Sequence, residues 1–500
     1  MKGGLMVCGT TSDAGKSHVV TGLCRLLARR GVKVAPFKAQ NMALNSYVTP
    51  SGHEIGRAQG IQALAAGVEP EVAMNPILLK PTGDRTSQVV LHGRPVGHLT
   101  AAEYHDRKPA LLAEVLAALE DLRSRFDVVI AEGAGSPAEI NLLDHDVVNL
   151  RIAAEAGLPA VVVGDIDRGG VFAALHGTVD LLPAHYRRLV KGFVINKFRG
   201  DPALLGDGTA ELQRRSGVPT LGVLPYVHDI ALDAEDSLAL AGPRPAADRP
   251  AVADGLDVAA VRYPRLSNFT DLDALAIEPG VAVRLIEHAA AIGEPDLVIL
   301  PGTKATVADL EWLRGRGLDR AIRRARDNGA LVLGICGGYQ HLGRSIDDRI
   351  ESGRGDVDGL SWLDVTTAFA AEKVTRQRRG TAMGQQVTGY EIRHGVTERG
   401  ERAAGWVHLD DVHGAQTDGA VDLGDAAVLG TSLHGLFEQD GFRAVFLTEV
   451  GRRRGRTFVP AGVSFAAARA AQFDRLADLL EAHLDLAAVE ALIEQGAPAP

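Results

Sequence analysis

From Leu5 to about Pro225, short apolar runs alternate with stretches whose apolar residues recur every three or four positions. The runs LMVCG, VKVAPFK, VVIAEG, AVVVGD, KGFVINKF and TLGVLPY read as buried strands, and the stretches between them as amphipathic helices. Such alternation predicts βαβ units and a parallel sheet covered on both faces. Residues 241–256, AGPRPAADRPAVADGL, break the pattern with Ala, Pro, Gly and Asp and predict a linker. A second alternating region begins at VAAVRYP and runs to about His434. Beyond it, Phe465 to Gln495 returns to helical spacing, with Phe473, Leu476, Leu479, Leu480 and Leu484 on one apolar face. The expected fold is α/β, with two doubly wound parallel-sheet domains at 1–240 and 257–445 and a helical extension at 446–500.

Composition narrows the class. Five hundred residues at 46% hydrophobic content exceed what one core holds, which supports at least two domains. A formal net charge of -10 disfavours nucleic acid as a partner. Cys8, Cys24 and Cys336 form no CxxC pair, so neither a disulfide framework nor a zinc site is expected and a reducing compartment is. No apolar run reaches the roughly eighteen residues of a membrane span, and the chain opens on a strand and a glycine loop rather than a signal peptide. The expectation is a cytoplasmic protein with no membrane partner. Monomer and homodimer both stay open.

Two places carry chemistry. In LVLGICGGYQHLG, Leu331 to Gly343, a buried strand gives way at Cys336 to Gly337 and Gly338, with a helix expected from about Tyr339. A thiol at a helix N-terminus is favoured as thiolate, and the N–H that follows it can help hold an oxyanion. Upstream, DLVILPGTKAT ends a strand in Pro-Gly-Thr, so the backbone at Gly302 is a second candidate donor beside Gly337. Downstream, AVLGTSLHGLFE sets His434 just past a third apolar run, as a base for the thiol. A buried structural cysteine is the alternative for Cys336 alone. The ordered trio resembles a class I glutamine amidotransferase domain. Many such domains carry a Glu two residues after the His, where this chain has Leu436; Glu438 lies further on, and the third partner is left open.

The other place is GTTSDAGKS, Gly9 to Ser17, between the first strand and HVVTGLCRLLARR. Backbone N–H groups and a lysine hold phosphates at such a helix start, and Gly15, Lys16 and Ser17 meet that need. The loop is one residue longer than the usual motif, with Thr10 in place of its first glycine. It resembles the dethiobiotin synthetase group of P-loop proteins. That likeness implies ATP, with Lys16 on terminal phosphates and Ser17 on Mg2+. Glu132, ending the strand in DVVIAEGAG, is the second candidate magnesium ligand. Asp165, Asp167 and Arg168 in GDIDRGG stand at another strand end as candidate metal, phosphate or substrate contacts, or as a plain ion pair. Asn196 ends KGFVIN and reads either a base or a turn.

The stretch FKAQNMALNSYVT is dense in amides, Gln40, Asn41 and Asn45, which donate and accept without adding charge. Together with EIGRAQ, MNPILLKPTGD, EGAGSPAEINL, DIDRGGVF, NKFRGD, RLSNFTDLDAL, LPGTK, GICGGYQ and SLHG, it identifies the whole chain as similar to the cobyric acid synthase family of cobalamin biosynthesis. The resemblance implies ATP- and L-glutamine-dependent amidation of four carboxylates (b, d, e, g) of adenosylcobyrinic acid a,c-diamide through acyl phosphates. It implies an acceptor site near Gln40, Asn41, Asn45, Asp165 and Arg168, with Lys38, Lys80 and Arg85 as further cationic candidates, and a protected route for ammonia. The run EKVTRQRRG, Glu372 to Gly380, is either a domain-contact loop or a solvated face. The a,c-diamide synthases share both modules but usually carry an aspartate where this chain has QNMALNS. An ATP-driven switch and a stand-alone cysteine hydrolase are further alternatives. The Cys-His module speaks against the switch, and dependence on glutamine would separate out the hydrolase.

Overall fold

A computed structural model describes residues 1–83, 86–143, 146–227, 255–410 and 416–497. The linker expected at 241–256 lies outside the described residues up to 254, as does Arg85. Two compact units form: Met1–Ala43 with His53–Leu232 and Arg469–Pro500, and Leu44–Gly52 with Asp233–Ala468.

In the first unit six parallel strands lie in the order Thr220–Pro225, Val190–Phe198, Ala160–Asp165, Gly3–Gly9, Val128–Glu132, Val34–Phe37. Their residues are apolar on both faces because helices cover both, as a parallel sheet requires. Register sets Glu132 opposite Val7, Val163 opposite Gly9, and Asn196 opposite Asp165, so the chemistry-bearing residues gather at one edge. A smaller sheet joins Gln40–Met42, Ile77–Pro81, Thr86–Leu91 and Arg94–Thr100.

The helix Lys16–Arg29 buries Val19, Val20, Leu23 and Leu27 against the main sheet. Its basic side meets the last two helices, Phe465–His483 and Leu486–Gln495. Arg25 pairs with Asp474 at 2.8 Å, Arg29 reaches Asp478 at 2.5 Å, and Arg30 holds Glu481 at 2.8 Å and also Glu490. Leu480, Leu484, Val489 and Ile493 join the apolar cluster beneath. The residues expected as a separate extension therefore divide. The helix Asp440–Arg453 packs in the second unit, while those from Arg469 onward complete the first.

The second unit's sheet runs Val281–Ile286, Leu256–Val261, Leu297–Leu300, Leu331–Ile335, Val428–Thr431 in parallel, then Ala420–Asp422 and Ala403–Ala404 antiparallel. The expected alternation does not run unbroken to His434. A long antiparallel hairpin, Val365–Ala382 with Gln385–Arg399, interrupts it. The basic run EKVTRQRRG is part of that hairpin's first strand, neither a loop nor simply a solvated face. Arg376 (2.6 Å), Arg378 (2.8 Å) and Arg393 (2.6 Å) all converge on buried Glu391. Leu44–Gly52 belongs to this unit, where Ser46 N–H donates to Asn268 at 2.9 Å and Gln377 donates to the Val48 carbonyl at 2.9 Å.

Candidate functional site

Three adjacent parallel strands deliver the groups of the thiol site. Leu297–Leu300 leads to Gly302, Leu331–Ile335 to Cys336, and Val428–Thr431 to His434. The Cys336 N–H donates to the Thr431 carbonyl at 2.8 Å, which ties the turn to its neighbour strand. Cys336 itself has φ 50 and ψ -108, a left-handed backbone that costs a side-chain-bearing residue about 1–3 kcal/mol. The helix behind it spans Gly337–Leu342, two residues earlier than the sequence predicts. Its first glycines are helical, and at Gly338 a side chain would collide with the Leu300 carbonyl. The thiol thus sits at the first free N–H groups of a helix. A side-chain carbon at Gly302 would stand 2.8 Å from the His434 ring. Gly302 and Gly337 therefore flank the Cys336–His434 pair.

The Gly302 loop is anchored. The Thr303 hydroxyl donates to Asp309, which also accepts from the Arg265 N–H at 3.2 Å. Burial pushes the Asp309 carboxyl up to about 6. On the far side of the imidazole stands Asp271, at the start of the short helix Asp271–Ala276. Its Oδ2 lies 2.7 Å from His434 Nδ1, and its Oδ1 accepts the Gly435 N–H at 2.6 Å. A carboxylate only accepts, so Nδ1 carries the proton and Nε2 is the nitrogen left for the thiol. Burial opposes charge on the ring, but Asp271's charge and hydrogen bond, with Cys336 adding to them, push His434 up to about 10. Tyr390 stacks on the imidazole, ring centroids 5.3 Å apart, and exchanges two backbone hydrogen bonds of 3.0 Å with His434. The neighbouring Ile392 carbonyl lies 3.9 Å from the Cys336 sulfur.

Sequence reasoning quoted Asp271 within RLSNFTDLDAL but gave it no role. Its signal was an acid among residues destined for the core, Phe269, Leu272 and Leu275, since a buried carboxylate needs a partner. Leu436 and Phe437, in the place of the usual acid, are buried in an apolar cluster.

In the first unit, Gly15 has φ 98 and leaves no room for a side chain beside Asn196, whose Nδ2 donates to the Ala14 carbonyl at 2.9 Å. The Asn196 carbonyl oxygen accepts the Lys197 N–H at 2.9 Å. One N–H and one lone pair of its amide thus shape the loop. Thr10 N–H donates to Val163, and Lys16 Nζ folds over the loop onto the carbonyls of Thr11 (2.9 Å) and Ser12 (3.0 Å). The Ser17 hydroxyl donates to Glu132 at 2.9 Å, Lys38 pairs with the same carboxylate at 3.0 Å, and Gln62 donates to it at 2.6 Å. Burial alone would raise Glu132, but the ammonium groups of Lys38 and then Lys16 hold it below the usual carboxylate range.

The other named residues are placed as follows. Asp165 accepts from Lys197 at 2.8 Å, Arg168 is exposed beside Asp13 at 2.8 Å, and Asp167 pairs with Arg199 at 2.6 Å. Gln40 accepts from the Tyr104 hydroxyl, and Asn41 donates to Gln59 at 3.1 Å. Lys80 is buried against Glu54 at 2.6 Å. Asn45 falls in the second unit, whereas Gln40 and Asn41 belong to the first.

A nucleotide loop and a cysteine–histidine site on one chain define a glutamine-hydrolysing ligase. Residues 5–239 match the model of the CobQ/CobB/MinD/ParA nucleotide binding domain, and residues 257–442 that of the CobB/CobQ-like glutamine amidotransferase domain. The chain is 54% identical to a cobyric acid synthase of Streptomyces avermitilis, over 100% of this chain and 98% of that one. It is 54% identical to that of Saccharopolyspora erythraea (99% and 95%) and 53% to that of Nocardia farcinica (100% and 98%). It belongs to the cobyric acid synthase family and serves a glutamine-dependent amidation in cobalamin biosynthesis. Among the described residues no helix is long and apolar enough to cross a membrane.

Proposed function

We propose that the chain uses ATP to activate the b, d, e and g carboxylates of adenosylcobyrinic acid a,c-diamide as acyl phosphates and converts them to amides with ammonia from glutamine. The observation that carries the ligase half is the cluster of buried Lys16, Lys38 and Glu132 with half-buried Ser17 at the loop after the first strand. A carboxylate is a poor electrophile, and phosphorylation gives it a leaving group. Magnesium fits this cluster. Ser17 and Glu132 offer hard oxygen donors, and a magnesium ion bound with a nucleotide needs only one or two ligands from the protein. They would hold the ion, which would supply neutralisation of phosphate charge.

In the second unit Cys336 attacks the glutamine carboxamide. His434, cationic at neutral pH and aligned by Asp271, gives its proton to the leaving ammonia and then takes one from the water that hydrolyses the thioester. Backbone N–H groups at Gly337 and in the Gly302 loop receive the oxyanion. Mass spectrometry of the corrinoid after incubation with ATP, magnesium and glutamine tests the whole reading. Each carboxylate-to-amide conversion lowers the mass by about one unit; four losses are expected from the a,c-diamide, and no loss from it would refute the reading.

A further inference from the structure

Glu132 has a second neighbour beyond the nucleotide loop, and its chemistry is unspent. Gln59 and Gln62 lie one turn apart on the helix Arg57–Ala65, and neither exposes any surface. Gln62 Nε2 donates to Glu132 Oε2 at 2.6 Å. That orientation follows from the contacts, because Glu132 pairs with Lys38 and accepts from Ser17, and so presents acceptor oxygens to Gln62. Gln62 Oε1 must then face away from Glu132 as an acceptor, and it meets no donor among the described residues. Gln59 is its mirror image. Its Oε1 takes the Asn41 amide at 3.1 Å, which leaves Nε2 as a donor without an acceptor.

The packing keeps this arrangement from relaxing. A side-chain carbon at Gly56 would stand 2.5 Å from Asn41 Nδ2 and 2.7 Å from Gln59 Oε1, so the amides close directly over backbone. Asn75 braces the same wall, accepting from the Gly56 N–H at 2.9 Å and donating to the Lys38 and Ile77 carbonyls at 2.9 Å each. Buried polar atoms without partners destabilise the fold, and a ligand that pairs both recovers that cost.

One buried acceptor and one buried donor, on side chains one helical turn apart, complement a group that offers N–H and C=O together. A carboxylate lacks the N–H; a carboxamide, and the ammonia adduct that precedes it, has both. We propose that Gln62 Oε1 receives an N–H of the incoming ammonia while Gln59 Nε2 donates to the oxygen of the acceptor carbonyl. This proposal rests on the acyl-phosphate reading above. In the step served, the ammonia lone pair forms the C–N bond, the C–O bond to phosphate breaks with its electron pair leaving on phosphate, and one nitrogen-bound proton is released. The Gln62 contact exists only once nitrogen has arrived, so it favours the adduct over the bound carboxylate, while the Gln59 contact orients the carbonyl throughout.

The test uses the full chain with ammonium as nitrogen donor, in the parent and in Gln62→Met and Gln59→Met. Two rates are read: corrinoid amidation, and heavy-oxygen scrambling between the bridging and non-bridging positions of ATP, which reports reversible carboxylate phosphorylation without ammonia. Gln62→Met is expected to raise the KM for ammonium at least tenfold, well beyond its effect on scrambling, which reads the lost hydrogen bond to Glu132. Gln59→Met should lower the amidation rate with a smaller change in that KM. Parallel loss of scrambling and amidation in both variants, or amidation unchanged in both, would overturn the proposal. If Gln62→Met fails to fold, Gln62→Asn, which keeps the amide but withdraws it, is read by the same criteria. An ordered water bridging Gln59 and Gln62 in a corrinoid-bound crystal structure, with the reacting arm elsewhere, would also overturn it. Failure of the underlying reading is distinguishable, since the parent would then show no scrambling in the presence of corrinoid.

Discussion

Asp271→Asn probes the thiol site at its least expected member. The aspartate accepts from both His434 Nδ1 and the Gly435 N–H. An asparagine can replace only one of these contacts as an acceptor. Gly435 demands the oxygen, so the new NH2 group must face Nδ1 and force the ring proton onto Nε2, the nitrogen that serves the thiol. The charge is lost as well. The interval between the ordinary 6.5 and the about 10 of the native site corresponds to about 5 kcal/mol favouring the imidazolium. Without that charge, burial is opposed only by Cys336, and the ring's hold on its proton weakens. Glutaminase activity of the native chain should therefore persist through neutral pH and fall only as His434 deprotonates near pH 10. In Asp271→Asn the alkaline limb should move down from about pH 10 toward neutrality, with turnover at neutral pH reduced on the order of 10³-fold, within the range of general acid–base effects. Glutamate release measured from pH 5 to 11, with alkylation of Cys336 by iodoacetamide in parallel, reads both effects. A variant profile that superposes on the parent would refute the reasoning.

Cys336→Ala should abolish glutamine-dependent amidation and spare synthesis from high ammonium; joint loss in a folded protein would contradict the division of labour. Lys16→Ala should stop synthesis with either nitrogen donor while glutamine hydrolysis persists, again read by corrinoid mass and glutamate release. A chain ending at Ala468 should lose ATP binding and cooperative melting of the first unit, because Leu480, Leu484, Val489 and Ile493 no longer cover it, yet keep glutaminase activity. Glu391, which burial alone would raise, is instead pushed down to about 2 by its three arginines. Its stabilising contribution is present above about pH 4.5 and lost as pH falls toward 2. Urea unfolding of the parent and Glu391→Gln should therefore differ at pH 6 and converge near pH 2; a gap that does not narrow counts against this account.

The strand ends were legible because a parallel sheet writes its buried strands as uninterrupted apolar runs, and because glycine marks where a chain must turn sharply. That is why GICGG and GTTSDAGKS stand out before any coordinates. Asp271 did not stand out, since a partner 163 residues away is set by which strands become neighbours, not by local pattern. The hairpin was hidden by composition. Its period-two signal in VTRQRRGTA is masked by arginines whose partner, Glu391, lies across the ladder. Gly337 and Gly338 read as a turn by propensity, yet they are helical because the contact with Leu300 admits nothing larger. Gln62 looked like an ordinary helical residue, and only its burial against Glu132 gives it meaning.

The return of the last helices to the nucleotide-binding unit has a consequence for how the protein is made. Arg25 and Asp474 are 449 positions apart. At roughly 5–20 residues per second, a ribosome needs about 20–90 s to travel between them. For that interval the helix behind the phosphate loop has emerged while the surface that will cover it has not been synthesised. The amidotransferase unit, most of it a continuous stretch from 233 to 468, can finish folding first. The nascent chain then carries an ammonia source attached to an unfinished consumer, and the nucleotide-binding unit is completed only when the final helices pack against Lys16–Arg29.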